Sequence, residues 1–196
     1  MLKRLFDIVF SLIGIILLSP LMLVITLLIM LDSKGGVIFR QKRIGKNGKP
    51  FYILKFRTMK PDSEKSGQLT VGGKDSRITR VGYFLRKYKL DELPQLFNVL
   101  KGDMSFVGPR PEVPKYVELY TDEQRQILKV KPGITDYASI EYINENEILG
   151  QSNNPEETYI KEIMPQKIAL NLKYIHEKGF WKDIKIILLT LKKIID

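Results

Sequence analysis

The chain contains no cysteine and a single histidine, His176. The first absence excludes disulfides, thiolate zinc sites and a cysteine nucleophile. The second argues against a histidine-based catalytic triad, because His176 stands between Lys173 and Lys178 in a helical pattern that reads as solvated surface. Carboxylates are therefore the groups to consider for covalent chemistry. Acidic residues are themselves scarce, 22 against 32 basic ones, which gives a net charge of +10. Such an excess seeks an anionic partner: nucleic acid, an anionic membrane or a phosphorylated substrate. A glycine-rich phosphate loop is lacking too, since no strand and helix frame Gly72-Gly73-Lys74. No base-reading or stacking module for nucleic acid is recognisable.

What is present begins with 196 residues at 44% hydrophobic content, enough for one modest packed domain and an appendage. The appendage is residues 1–33, apolar from Leu5 to Leu31 and longer than the roughly 20 residues that span a bilayer as a helix. Two features oppose a simple span. Pro20 removes a backbone donor and clashes with the carbonyl of Ile16, while Ser19 can bond the freed carbonyls, so a sharp bend survives in lipid. The flanks are basic on both sides, Lys3 and Arg4 before and Lys34, Arg40, Lys42 and Arg43 after, where a spanning helix shows asymmetry. A re-entrant helix broken at Ser19-Pro20, with both ends cytoplasmic, accounts for both. A cleaved signal peptide does not, because the apolar region is too long and no small-residue cleavage site follows. Asp7 lies one turn from Lys3 and Arg4 and is expected to pair with them locally.

Residues 34–196 read as a helix-rich α/β cytosolic domain. Val37–Gln41 and Phe51–Phe56 are strand-like, and Gly45-Lys46-Asn47-Gly48 turns the chain between them. Their basic residues serve either solvation or contact with anionic head groups. Pro61–Ser76 is a polar, glycine-bearing loop, either a gate or a connection. Asp75–Lys89 is expected to be a basic amphipathic helix with Tyr83, Phe84 and Tyr88 as aromatic anchors, suited to a membrane interface.

The most informative stretch runs from Leu90 to Glu112. Leu93, Leu96, Phe97 and Leu100 follow helical spacing, Gly102 supplies a C-cap, and Asp91-Glu92 precedes the helix. Read alone, the acidic pair is simply a helix cap. The tail Gly108-Pro109-Arg110-Pro111 argues for more, because two prolines fix φ on either side of Arg110 and aim its guanidinium. Two carboxylates, a helix N-terminus and a braced arginine are parts from which a site for a metal-bound diphosphate can be built.

This stretch closely resembles the core motif of the bacterial sugar transferases called monotopic phosphoglycosyl transferases. The similarity extends over Lys3-Arg4-Leu5-Phe6-Asp7, Lys55-Phe56-Arg57-Thr58-Met59, Arg86 and Lys129–Thr135. The resemblance implies transfer of a phosphosugar from a UDP-sugar to a polyprenyl phosphate such as undecaprenyl phosphate, with UMP released. It implies Asp91 as nucleophile, Glu92 with Asp91 on Mg²⁺, and Arg110, Arg86 and Lys55 on phosphates. Pro109 and Pro111 would flank the nucleotide-sugar site.

The family pattern continues Gly-Trp-Ala-Gln-Val and then an arginine, whereas this chain reads Asp136-Tyr137-Ala138-Ser139-Ile140 and puts Ile143 near the arginine's place. That region is expected to hold the nucleotide sugar, with Tyr137 stacking on a base and Asp136 and Glu141 facing sugar hydroxyl or amide groups. The alternative is that the two carboxylates only balance Lys129 and Lys131. Phe180–Ile195 is apolar with basic edges, too short and charged to span, and is expected in the interface with Trp181 as anchor. Oligomerisation is left open. A reading from another class is a non-enzymatic, membrane-tethered basic module for lipid or nucleic acid, which explains the charge but not Asp91-Glu92 beside Arg110.

Overall fold

The computed structural model describes residues 1–61, 63, 67, 69–72 and 75–195. Helix α1, Leu2–Asp32, is followed by strands β1, Ile38–Ile44, and β2, Pro50–Phe56. Next come α2, Arg80–Lys87, α3, Gln95–Lys101, and β3, Ser105–Val107. The short α4, Pro114–Val117, leads through a 3₁₀ segment to β4, Gly133–Thr135. The remainder is helical: α5, Tyr137–Glu141; α6, Glu145–Gly150; α7, Pro155–Thr158; α8, Met164–Glu177; and α9, Phe180–Ile195. β1 and β2 pair antiparallel, with Ile38 opposite Phe56 and Ile44 opposite Pro50. β3 and β4 form a separate parallel pair. The helix-rich α/β expectation holds, with sheet confined to these two pairs among the described residues.

The break expected at Ser19-Pro20 is not there: the α1 helix continues without interruption through Pro20. Ser19 Oγ donates to the Ile16 carbonyl at 2.8 Å, the oxygen left without an amide partner by the proline. At 31 residues the helix would be about 45 Å long if straight. Its most apolar 18-residue window has a mean hydropathy of 2.9 and is only 11% buried, so most of its surface has no protein to cover it. Both of its ends nevertheless rest on the globular body. At the start, Lys3 Nζ reaches the Val107 carbonyl at 2.8 Å and Asp183 at 2.5 Å. Arg4 donates to the carbonyls of Val99 and Leu100, the exposed C-terminal end of α3, where a cation is favoured. At the other end, Ile25 and Ile29 pack with Phe56 and Leu85. Asp32 accepts from the backbone N–H of Val81 at 3.2 Å.

Several local expectations are corrected. Asp7 does not pair with its neighbours: it is buried and accepts from Ser105 Oγ at 3.0 Å and the Phe106 N–H at 3.1 Å, while Lys3 and Arg4 are used elsewhere. The basic helix starts at Arg80, five residues later than the pattern implies. Thr79 caps it by accepting from the Gly82 N–H at 3.0 Å, and Asp75 instead binds Arg77 in a turn. The Pro61–Ser76 loop and its Gly72-Gly73-Lys74 run lie partly outside the described residues. Within Glu156–Lys178 the chain makes a π-helical turn, Tyr159–Ile163, that runs directly into α8, and Pro165 falls in the first turn of α8 just beyond it.

Among the described residues the interior is assembled from four apolar clusters. The largest packs α4, the 3₁₀ segment, α6 and α8 around Tyr116, Tyr159 and Ile168. Another joins β2 to α3 through Ile53, Val99 and Met104. Val99 and Met104 are fully buried, and cutting such a side chain back to alanine costs about 2–5 kcal/mol. Ile186 of α9 packs with Val107 and Tyr174, while Trp181, Leu188 and Leu191 on its other side remain exposed.

Candidate active site

Asp91 and Glu92 do not occupy the N-cap of α3, as their spacing implied. They lie in a separate 3₁₀ turn, Leu90–Glu92, entered through Lys89 in the left-handed region at φ 55°, and α3 begins beyond Pro94. The turn is held against β2 by α3. Asn98 accepts from the Leu54 N–H at 3.0 Å and donates to the Tyr52 carbonyl at 2.8 Å. This asparagine bridge was not read from the sequence; its one signal was a polar residue inside an apolar helical stretch. It places Lys55 of β2 beside the acidic pair.

Arg110 arrives from the opposite side, on the segment that follows β3. Gly108 and Gly133 allow the two strand ends to touch: the Gly108 N–H donates to the Thr135 carbonyl at 3.0 Å and the Gly133 N–H to the Pro109 carbonyl at 3.1 Å. A Cβ on Gly133 would lie 2.1 Å from the Gly108 nitrogen, so no side chain fits there. The backbone N–H of Arg110 is further fixed by Asp136 Oδ2 at 3.0 Å.

These elements converge on Glu92. Lys55 Nζ donates to its Oε1 at 2.8 Å, and the Arg110 fork engages both oxygens, Nη1 at 3.3 Å from Oε2 and Nη2 on Oε1. Burial alone would raise the Glu92 carboxyl, but Arg110 and Lys55 together outweigh it and hold it well below the usual range. Asp91 moves the other way. Burial pushes its carboxyl up, and Lys55, Arg86 and Lys89 pull against that without reversing it. Arg86 is held by hydroxyls, donating to Thr58 at 2.9 Å and Thr70 at 3.0 Å, which leaves its positive charge available to an anion. Adjacent carboxylates are thus differentiated, one neutralised by a double clamp and one at the cavity wall whose state is set chiefly by burial.

The cavity before them measures about 1140 Å³. Its wall includes Asp91, Glu92, Lys55, Arg86 and Arg110. It also includes Phe6, Phe10 and Leu18 of α1 and Ile187 and Leu191 of α9. One space therefore joins a strongly cationic, carboxylate-bearing site to apolar surface on the two helices that expose the most hydrophobic area. A molecule with a phosphate head and a long hydrocarbon body has partners for both parts here.

Among the described residues no group of three or more carboxylate or histidine side chains converges. A dedicated all-protein metal cage is therefore not formed by them. Mg²⁺, however, is commonly held by one or two carboxylates with the remaining positions taken by water and substrate phosphates. Asp91-Glu92 beside a cationic cavity fits that donor set.

The sequence-derived site divides cleanly. Asp91, Glu92, Lys55, Arg86, Arg110 and Pro111 share the cavity wall. Pro109 is buried behind Arg110, towards Tyr120 and Ile127. Asp136, Tyr137 and Glu141 do not line the cavity. Asp136 is fully buried and its two oxygens accept from the Arg110 and Ser139 N–H groups, so it braces the site from behind instead of facing sugar. Tyr137 packs edge-to-face with Tyr174 at 6.4 Å, and Glu141 is exposed. The wall next to Arg110 is instead supplied by Ser139, Tyr142, Ile143, Glu145 and Lys167. Only the first four lie near the stretch singled out in sequence; Lys167 comes from α8, and nothing local marks it.

The chain belongs to the bacterial sugar transferase family, whose pattern it matches over residues 1–196. It is 42% identical over 200 residues to the UDP-glucose:undecaprenyl-phosphate glucose-1-phosphate transferase of Escherichia coli (strain K12), covering 98% of this chain and 40% of that protein. It is 40% identical over 198 residues to the UDP-N-acetylgalactosamine-undecaprenyl-phosphate N-acetylgalactosaminephosphotransferase of Aeromonas hydrophila, covering 98% and 43%. With the UDP-glucose:undecaprenyl-phosphate glucose-1-phosphate transferase of Caulobacter vibrioides it shares 38% identity over 198 residues, covering 98% and 69%. The chain thus spans about two fifths of the length of the first two relatives.

Proposed function

We propose that this chain transfers a sugar 1-phosphate from a UDP-sugar to undecaprenyl phosphate or a similar polyprenyl phosphate and releases UMP. The observation that carries the reading is the single cavity in which Asp91 and three cations meet the apolar faces of α1 and α9. The named activities of the relatives support the same donor and acceptor classes.

In the first step an Asp91 carboxylate oxygen attacks the phosphorus that bears the sugar. A new O–P bond forms, the bond to the UMP phosphate oxygen breaks, and UMP leaves with the electron pair. In the second step a phosphate oxygen of the acceptor attacks the same phosphorus and frees Asp91. A carboxylate approaching a diphosphate meets like charge, and Arg110, Arg86 and Lys55 offset it. Glu92 holds two of those cations before the donor arrives, so Lys55 and Arg110 are positioned in advance rather than ordered during the reaction. Mg²⁺ held by Glu92 and Asp91 together with the diphosphate would supply further positive charge to the leaving group.

The chain acts at the cytoplasmic face of the bacterial plasma membrane, with α1 re-entering one leaflet and both its ends on the cytoplasmic side. Two features support this: both ends of α1 lie on the catalytic body, and the side away from the body is apolar. The acceptor's phosphate stays in the head-group layer, so the site belongs there. Such a reaction would initiate assembly of a surface glycan. Nothing in the cavity favours the non-enzymatic alternative, which has no use for a buried acidic pair.

The test is UMP release from a UDP-sugar panel with undecaprenyl phosphate and Mg²⁺. Wild-type protein should release UMP and lose that activity in EDTA. Asp91→Asn should abolish both turnover and covalent capture of labelled phosphosugar while remaining folded and membrane-associated. Turnover by purified Asp91→Asn would remove Asp91 from the nucleophile role.

A further inference from the structure

The cavity wall carries a charged pair that the clamp on Glu92 does not use. Lys167 of α8 donates to Glu145 Oε2, at the start of α6, at 2.6 Å. Both residues line the cavity, and both side chains keep surface that water can reach, 14% and 24% exposed. Among the described residues these side chains hydrogen-bond only each other. The ammonium also sits over the Tyr159 ring, 5.3 Å from its centroid. The Tyr159 hydroxyl donates to Glu112, and Arg43 donates to the same carboxylate and to the Pro111 carbonyl at 3.0 Å. The pair is thereby tied to the segment that carries Arg110. Its carboxylate is near enough to help hold the Arg110 guanidinium in the charged form.

As a brace between α6 and α8 this pair is a poor choice. Drawing two charges partly out of water offsets much of their attraction, and apolar side chains of similar size would join the helices as well. What it offers a ligand is fixed polarity: a carboxylate only accepts hydrogen bonds and an ammonium only donates them. Each has capacity left, the second carboxylate oxygen and two ammonium protons. A sugar hydroxyl gains little from fixed polarity, because it both donates and accepts and turns to suit either neighbour. The edge of a pyrimidine cannot turn in this way. Uracil sets its N3–H donor beside its O4 acceptor, so the first suits Glu145 and the second Lys167. Cytosine inverts both positions, turning a bare N3 to the carboxylate and an amino group to the ammonium. Tyr142 and Ile143 on the same wall supply apolar surface for the base.

We infer that Lys167 and Glu145 recognise the uracil edge of the donor and select a uridine nucleotide over a cytidine one. This inference rests on the reading of the cavity as the UDP-sugar site.

The test is calorimetric binding of UDP, CDP and pyrophosphate to the full chain in detergent with Mg²⁺. Wild type is compared with the double variant Lys167→Met, Glu145→Gln, which keeps the net charge. Wild type should bind UDP at least about tenfold more tightly than CDP, the discrimination expected of one two-bond base contact. The double variant should lose most of that preference while binding pyrophosphate, which has no base, as wild type does. A wild type that does not distinguish UDP from CDP overturns the inference, and so does an undiminished preference in the variant. An equal loss for all three ligands overturns it too, because that marks a structural brace. Where the double variant does not fold, the isosteric Glu145→Gln takes its place, judged by the same UDP-to-CDP ratio. Failure of both to fold overturns the inference, since the fold itself would then need the pair. The transfer reading fails separately, if wild type prefers UDP to CDP yet releases no UMP from any UDP-sugar.

Discussion

Asp91 and Glu92 are neighbours in sequence with opposite electrostatic fates. Burial dominates at Asp91 and raises its carboxyl. Arg110 and Lys55 dominate at Glu92 and depress it. Asp91 must be ionised to attack, so the acid limb of the kcat/KM profile should fall at a pH above the ordinary aspartate value of about 3.9. UMP release measured from pH 4 to 8 checks this, and a limb at or below the ordinary value would refute the burial argument. Glu92 makes a separate prediction about stability. Its folded pKa lies below its unfolded one, so the native state binds fewer protons in that window. Its contribution is complete above about pH 4.3 and is lost as the pH falls towards the folded value. Glu92→Gln leaves two half-buried cations without a countercharge and should cost about 1–3 kcal/mol near pH 7. That deficit should shrink in thermal melts below about pH 4.3; a gap that stays constant with pH would place the effect in packing, not charge.

Among the elements, the parallel pair β3–β4 is small but decides where Arg110 stands. Its geometry depends on Gly108 and Gly133 meeting without side chains. A Cβ on Gly108 would lie 2.4 Å from the Lys131 carbonyl, and one on Gly133 2.1 Å from the Gly108 nitrogen. The obstacles are backbone atoms, which cannot swing aside. Gly133→Ala should therefore force the strand ends apart, cost about 1–3 kcal/mol and lower UMP release through displacement of Arg110. Gly36→Ala is the control, since nothing lies within 4 Å of its added methyl. Equal melting temperatures and activities for the two variants would show that the strand contact yields easily. The α2 helix illustrates the same local economy: the Thr79 cap delays its start to Arg80, and that keeps Asp75 free to bind Arg77.

For the whole molecule, the question is how a long apolar helix and a charged site share one body. The α1 helix meets α3 and α9 at its start and α2 at its end. A helix crossing the bilayer would carry those two ends to opposite sides, and half of these contacts would be lost. Cysteines introduced near Lys3 and Lys34 are therefore expected to label from the same, cytoplasmic side in oriented vesicles. Labelling from opposite sides would exclude the re-entrant arrangement. Pro20→Ala restores a backbone donor within α1 and should move a fraction of molecules to a spanning form, detected by the same labels. The exposed Trp181, Leu188 and Leu191 of α9 form a second apolar surface of the kind that suits a membrane interface.

Features governed by neighbouring residues were legible in the sequence. The hairpin strands follow from β-branched and aromatic runs on either side of a glycine turn, the C-cap at Gly102 from a residue able to hold φ 98°, and the apolar anchor from its length. The acidic pair and the proline-braced Arg110 were visible as chemistry because few other roles suit them. Contacts across long separations were not. Asp7 bonds Ser105 98 residues away, and Glu92 gathers Lys55 and Arg110 from 37 and 18 residues away. Asp136 carries the clearest lesson. In sequence it was an extra carboxylate free to meet a ligand, whereas in the fold it is sealed beneath two amides, and Ser139 stands at the wall. A side chain's type and local spacing fix what chemistry it can perform; only packing decides which charges are desolvated, which are paired and which face the cavity.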